Sequence, residues 1–262
     1  MNIFTLDSLD TGYNNFQVLH NVNISVKKNE FIGIIGPNGS GKSTLLKSLI
    51  GLLKPFNGLV KFNDEDISKI QTLELAKNIS FVPQFIENLV AFTVIDFIAT
   101  GRFPFLKVFQ SLSAEDEDAI HQSLEIADVF HLKDRLLTEL SGGELQLVNI
   151  ARAFTQNEKI ILLDEPISNL DYNHSIKIMD VLFNLHVQGS TIITVLHNIN
   201  IASDYCSRII ALKKGAVFAD GKPADVINEA LIQDLFSIKN KIGINPVTEK
   251  PYVYTYPTYK KK

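Results

Sequence analysis

A chain of 262 residues with 45% hydrophobic side chains, 21% charged side chains and nine prolines describes a globular protein of one large domain or two small ones. It excludes a disordered or collagen-like chain, and the formal net charge of −4 argues against broad binding to a phosphodiester backbone, so no nucleic-acid partner is expected. The single cysteine, Cys206, excludes an internal disulfide and is expected to be a buried packing residue in a reducing compartment.

The first residues lack a basic stretch followed by an apolar run and a small-residue cleavage site, so secretion is not expected. The longest membrane candidate, "LVAFTVIDFIAT" at 89–100, is too short to span and carries Asp96. A role at a membrane is therefore expected to run through another chain.

In chain order, "NEFIGIIGPNGSGKSTLLKSLIGLL" predicts a buried strand at 31–35, a glycine loop, and a helix opening near Ser43. The loop fits G-x-x-x-x-G-K-S/T, with Gly36, Pro37, Asn38, Gly39, Ser40, Gly41, Lys42 and Ser43 in the pattern and Thr44 following. Its glycines allow the backbone N–H groups to curl inward onto phosphate oxygens, and the following helix adds the positive end of its dipole. Lys42 can reach β- and γ-phosphates, and the Ser43 hydroxyl is placed for Mg²⁺. This pattern between strand and helix marks a nucleotide site.

Next, "KPFNGLVKFND" predicts a turn at Asn57-Gly58 and an alternating strand after it. Residues 93–154 read as mostly helical. Ser113 and Asp116 form a capping-box signature, and the acidic run "EDED" is expected as the solvated first turn of that helix.

"LSGGELQLVNIARAF" at 140–154 places a second Ser-Gly-Gly turn before a second helix. It is either a capping turn, since Ser is a good N-cap, or another anion-binding helix N-terminus. From Lys159 onward, "IILLDEP", "HSIKIMDVLFNLH", "TIITVLH" and "RIIAL" alternate strand and helix. Such alternation predicts an α/β fold with a mostly parallel sheet covered by helices on both faces.

Asp164 and Glu165 end the apolar strand "IILL", where a parallel sheet opens into its ligand crevice. They are either an ordinary strand-to-loop junction or, behind a phosphate loop, functional. In the second case Asp164 holds Mg²⁺ through water and Glu165 polarises the attacking water. Guanine readers carry Asn-Lys-x-Asp, whereas "NKIG" at 240–243 has glycine in the fourth place and lies beyond the sheet, so ATP is expected. The terminal "YKKK" reads as a frayed, solvated tail.

The order of these motifs resembles the ATP-binding cassette (ABC) ATPases, the motor subunits of ABC transporters. The resemblance covers nearly the whole chain and includes the phosphate loop, "FVPQ", "LSGGE", "IILLDEP", "SNLD" and "TVLHN". It implies a P-loop NTPase core of RecA type with a mostly parallel sheet, an antiparallel β subdomain and an inserted helical subdomain. The expected division is 1–84 with 155–220 for the core and β subdomain, 85–154 for the helical subdomain, and 221–262 for a C-terminal helix and tail.

It also implies a head-to-tail homodimer when ATP is bound, in which Ser141, Gly142, Gly143 and Glu144 face the ATP of the partner. Gln84 would contact Mg²⁺ or the attacking water, His197 would hold the γ-phosphate, and Asp171 would join the two sites across the interface. Tyr13 matches the aromatic that stacks on adenine, with an exposed strand tyrosine as the plainer reading and Phe16 as a near competitor.

Within the family the chain is most similar to importers of iron–siderophore complexes, haem and cobalamin, on "ATGRFPFLKVFQSLSAEDEDAI", "HNINIASDYCSRIIALKKGAVFADGKPADVI" and "LIQDLF". That implies two polytopic permease subunits, an extracytoplasmic binding protein, and a peripheral place at the cytoplasmic face of the cell membrane. Phe103 and Phe105 would either dock the permease or belong to the core. Relatives carry arginine near 145 and 147, where this chain has Leu145 and Leu147. Asn198 and Ser207 replace aspartates, and Ile167 replaces a threonine. The alternatives are an ATPase of another metal-ion importer, a soluble assembly ATPase of the same superfamily, a nucleic-acid-bound relative and a simple P-loop kinase. The last would leave Ser141–Gly143 and His197 without a use.

Overall fold

The structure is a computed structural model that describes residues 2–84, 92–107, 109–156, 159–168 and 170–256. The chain forms two compact units, Met1–Lys69 with Ile193–Lys262, and Ile70–Ile192. The part of 89–100 before residue 92, Asn169 of "SNLD", and the "YKKK" tail lie outside the described residues.

The first unit opens with β1 (Asn2–Tyr13) and β2 (Phe16–Lys27), paired antiparallel through the turn at 14–15. β3 (Phe31–Ile35) is buried along its whole length, as its unbroken apolar sequence requires. It feeds the glycine loop and α1 (Lys42–Leu49). β4 (Pro55–Phe62) pairs antiparallel with β1, and the short β5 (Glu65–Asp66) closes a sheet of order β2-β1-β4-β5. Phe4 and Phe62 meet across it with ring centroids 5.3 Å apart.

The turn expected at Asn57-Gly58 is absent, because both residues lie inside β4. The register explains it: Asp7 faces Leu59 while Asp10 faces Asn57, so β1 spends three steps against two. Ser8, with φ 47°, sits in the surplus of β1. A local turn signal was absorbed by strand pairing.

The second unit begins with α2 (Thr72–Ala76) and β6 (Ser80–Val82), followed by α3 (Val94–Ala99), α4 (Ala114–Ile126) and α5 (Gly142–Phe154). β7 (Ile160–Leu163) runs parallel to β6, with Val82 level with Leu163, and α6 (Tyr172–Val187) follows. The expected helical stretch thus falls in this unit. Ser113 caps α4 in a full capping box with Asp116, as expected.

One expectation fails at that cap. The acidic run is not wholly solvated, because Asp116 is 4% exposed. Arg102 reaches it at 2.6 Å through Nε and also donates to the Thr155 carbonyl at 2.9 Å. A guanidinium planted under the helix start makes burial of one carboxylate tolerable. Phe103 is 62% exposed and so not core, while Phe105 lies under the Arg102 guanidinium at 4.4 Å.

β8 (Thr191–Val195) crosses the division between the units. The first unit then resumes with α7 (Ile199–Tyr205), β9 (Arg208–Lys213) and β10 (Ala216–Gly221). β9 is parallel to β3 and antiparallel to β10. α8 (Pro223–Val226) and α9 (Glu229–Phe236) lead to a separate hairpin of β11 (Asn240–Ile244) and β12 (Pro251–Thr255). Cys206 packs with no exposure, and burial pushes its thiol up to about 12. Among the described residues no helix is long and apolar enough to cross a membrane.

Candidate nucleotide site

The cradle is built at the end of β3. Gly36 sits at φ 151°, and a Cβ there would fall 2.2 Å from the Leu212 carbonyl oxygen of β9. Only a glycine lets the loop turn away from the sheet at this point. Gly41, at φ 100°, caps α1, and the Gly215 N–H braces the loop from outside by donating to the Ser40 carbonyl at 3.1 Å.

Lys42 is the first residue of α1 and is 6% exposed. Its Nζ donates to the carbonyls of Gly36 at 3.0 Å and Pro37 at 3.1 Å, which folds the ammonium back over the loop. The Ser40 hydroxyl is 2% exposed and has no hydrogen-bond partner among the described residues. A desolvated cation, a buried hydroxyl and a helix N-terminus in one loop fit a polyphosphate. Ser43 and Thr44 follow Lys42 in α1, while Pro37, Asn38 and Gly39 form the turn before it.

Tyr13 ends β1 and faces Phe16 as the last cross-strand pair of the β1–β2 hairpin. Tyr13 is 40% exposed and Phe16 74%, and Lys47 of α1 places its ammonium 5.6 Å from the Tyr13 ring centroid. Both rings therefore stand at one hairpin tip, and α1 tethers the tyrosine. His197 follows Leu196, whose N–H donates to the Ile34 carbonyl at 3.0 Å, and precedes Asn198, the N-cap of α7. It is exposed.

The second unit gathers Gln84, Asp164 and Glu165. Asp164 is 5% exposed, and its N–H donates to the Val82 carbonyl at 2.9 Å. Gln84 Nε2 donates to Glu165 Oε2 at 2.7 Å. Glu165 takes φ 51°, a left-handed backbone that costs a residue with a long side chain about 1 kcal/mol. The Ser168 N–H and hydroxyl hold it there by donating to its carbonyl at 3.1 and 3.0 Å. Asp164 is thus buried at the strand end while the neighbouring Glu165 carboxylate is bonded to Gln84.

Ser141 caps α5 and forms a capping box with Glu144. Glu144 Oε2 accepts from Ser141 N at 2.8 Å and Ser141 Oγ at 2.7 Å, and these bonds hold its carboxyl below the usual range. The Ser141 N-cap reading is therefore met in full, and the turn still leaves Gly142 exposed. Asp171 caps α6 by accepting from His174 N at 2.8 Å, and His174 also lies over Gly143. That histidine carries no motif signal beyond its spacing of three from Asp171.

No cluster of three or more His, Cys, Asp or Glu side chains forms a metal cage among the described residues. Mg²⁺ does not need one, since it keeps waters and takes phosphate oxygens with only one or two protein ligands. The Ser43 hydroxyl, Gln84 amide oxygen and Asp164 carboxylate are hard oxygen donors of the required kind.

Residues 19–168 match the family model for the ABC transporter. The chain is 36% identical over 261 residues to the iron(3+)-hydroxamate import ATP-binding protein FhuC of Bacillus subtilis (strain 168), covering 99% of this chain and 97% of FhuC. It is also 36% identical over 252 residues to the probable siderophore transport system ATP-binding protein YusV of the same organism, covering 96% of this chain and 92% of YusV. Among solved structures, a transporter assigned to the metal-chelate ABC type, in an inward-facing conformation, superposes with TM-score 0.84 at 27% identity over 98% of each chain. The ATP-binding cassette MJ0796, a dimer bound to ADP and Pi after hydrolysis, matches with TM-score 0.70 at 32% identity over 84% of this chain and 98% of that one. By the match over more than half of its length and the near full-length likeness to FhuC, the chain belongs to the ABC transporter family as an ATP-hydrolysing cassette.

Proposed function

We propose that the chain powers import of an iron chelate, such as a ferric siderophore, by binding and hydrolysing ATP beneath two permease subunits at the cytoplasmic face of the membrane. The observation that carries the hydrolytic half is the Gln84–Glu165 hydrogen bond beside buried Asp164. The transport half is supported by the near full-length likeness to FhuC.

In this reading the loop N–H groups and Lys42 bind the triphosphate, Tyr13 or Phe16 stacks on the adenine, and His197 holds the γ-phosphate. Glu165 accepts the proton of the attacking water, and Gln84 holds that carboxylate in place. Ser43, Gln84 and, through water, Asp164 would hold Mg²⁺, which would supply neutralisation of the triphosphate charge. Ser141, Gly142 and Gly143 complete the ATP site of a second copy, with Glu144 fixing the turn and Asp171 at the interface. Two helix N-termini facing one polyanion close only while the anion is present, so hydrolysis and phosphate release open the dimer.

The test is reconstitution with its permeases and an extracytoplasmic binding protein, followed by transport of ferric hydroxamate, haem or cobalamin. Ferric hydroxamate is expected to stimulate ATP turnover and accumulate inside vesicles. Stimulation by haem or cobalamin in its place moves the cargo to that class, and full turnover with no permease response to any cargo removes the transport reading.

A further inference from the structure

A side chain outside every motif joins the Ser-Gly-Gly turn to Asp171. His174 lies in the first turn of α6. Its Nδ1 is 2.9 Å from Asp171 Oδ2, while its backbone N–H donates to Asp171 Oδ1 at 2.8 Å. Both oxygens of the carboxylate are thus bound by one residue. The imidazole also lies against the signature turn. A methyl group built on Gly143 would fall 2.7 Å from His174 Cδ2, 2.8 Å from Cγ and 3.1 Å from Nε2. At Gly142 the same methyl group meets nothing within 4 Å. The two glycines therefore differ: Gly142 is open, and Gly143 is the floor on which the imidazole rests.

We propose that His174 is a positioning residue that holds the signature turn and Asp171 at a fixed separation, so that one chain presents both to its partner as a single surface. This rests on the reading that Ser141–Gly143 close on the ATP of a second copy. The physical ground is preorganisation. Two patches that must dock together lose relative freedom on closure, and a side chain bonded to one and packed on the other removes that freedom beforehand. Imidazole suits both tasks, since a donor at Nδ1 fixes the ring plane and its carbon edge tolerates close contact with a glycine backbone.

The test uses the full chain carrying Glu165→Gln, in which an ATP-bound dimer is expected to accumulate, and reads dimerisation by sedimentation with MgATP. His174→Ala is expected to raise the protein concentration for half-dimerisation about tenfold while ATP affinity of the isolated chain stays within about twofold. His174→Asn keeps a donor without the ring and His174→Phe keeps a ring without the donor, so each is expected to fall between. Gly143→Ala alone should weaken the dimer, and adding His174→Ala should restore part of it by removing the clash. If His174→Ala dimerises at the parent midpoint while Ser141→Arg abolishes the dimer, the positioning role is wrong and the cross-subunit reading stands. If Ser141→Arg also dimerises normally, both fall. Loss of ATP affinity in all three His174 variants marks general damage and also overturns the proposal.

Discussion

Gln84 and Glu165 lie level with each other because each stands two residues past the last registered pair of β6 and β7, Val82 with Leu163. Parallel pairing therefore delivers two side chains from distant parts of the sequence to hydrogen-bonding distance. The bond of 2.7 Å fixes where the Glu165 carboxylate points.

Glu165→Gln is expected to bind ATP with unchanged affinity and to lose turnover by about a hundredfold or more, the range for removal of a general base. ATP-dependent dimers should accumulate. Steady-state phosphate release and sedimentation check both, and normal hydrolysis in this variant would falsify the base assignment.

Lys42→Ala removes a buried ammonium that already bridges two loop carbonyls. Charge-assisted bonds to phosphate are worth about 1.5–3 kcal/mol, so ATP affinity is expected to fall by about a hundredfold. Calorimetric titration reads it directly; wild-type affinity would take Lys42 out of the cradle.

Tyr13 and Phe16 share one hairpin tip, and Lys47 tethers Tyr13 alone. Tyr13→Ala is expected to raise KM for ATP about tenfold, the scale of one lost stacking contact, and Phe16→Ala to raise it less. The opposite ranking assigns the adenine platform to Phe16.

Asp116 is held down to about 2 by bonds from the Ser113 side chain and backbone, with Arg102 adding to the effect. A depressed carboxylate stabilises the fold fully above its unfolded pKa of ~3.9, and the contribution disappears as pH falls through about 2. Asp116→Ala, which strands the Arg102 guanidinium, is expected to cost about 3 kcal/mol at neutral pH. The gap in melting temperature between wild type and variant should narrow between about pH 4 and pH 2. A constant gap across that window would contradict the assignment.

Asn149 of α5 is 1% exposed, and neither its Nδ2 nor its Oδ1 has a hydrogen-bond partner among the described residues. An apolar residue of similar size avoids that desolvation, so Asn149→Leu is expected to raise stability by about 1–3 kcal/mol. Chemical denaturation measures it; a lower midpoint at unchanged slope would mean that the amide is satisfied.

Sequence alone determined the phosphate loop, the buried strands at 31–35 and 160–163, the cap at Ser113 and the α/β class. Each rests on local rules: glycine where the backbone must turn, apolar runs where both strand faces are covered, and a hydroxyl three residues before a carboxylate. Tertiary structure decided the rest. It buried Asp116 on Arg102, absorbed Asn57-Gly58 into a bulged strand pair, set Gln84 beside Glu165 through strand register, and laid His174 on Gly143. These depend on which distant backbones come level, and a single chain read in order carries no record of that register.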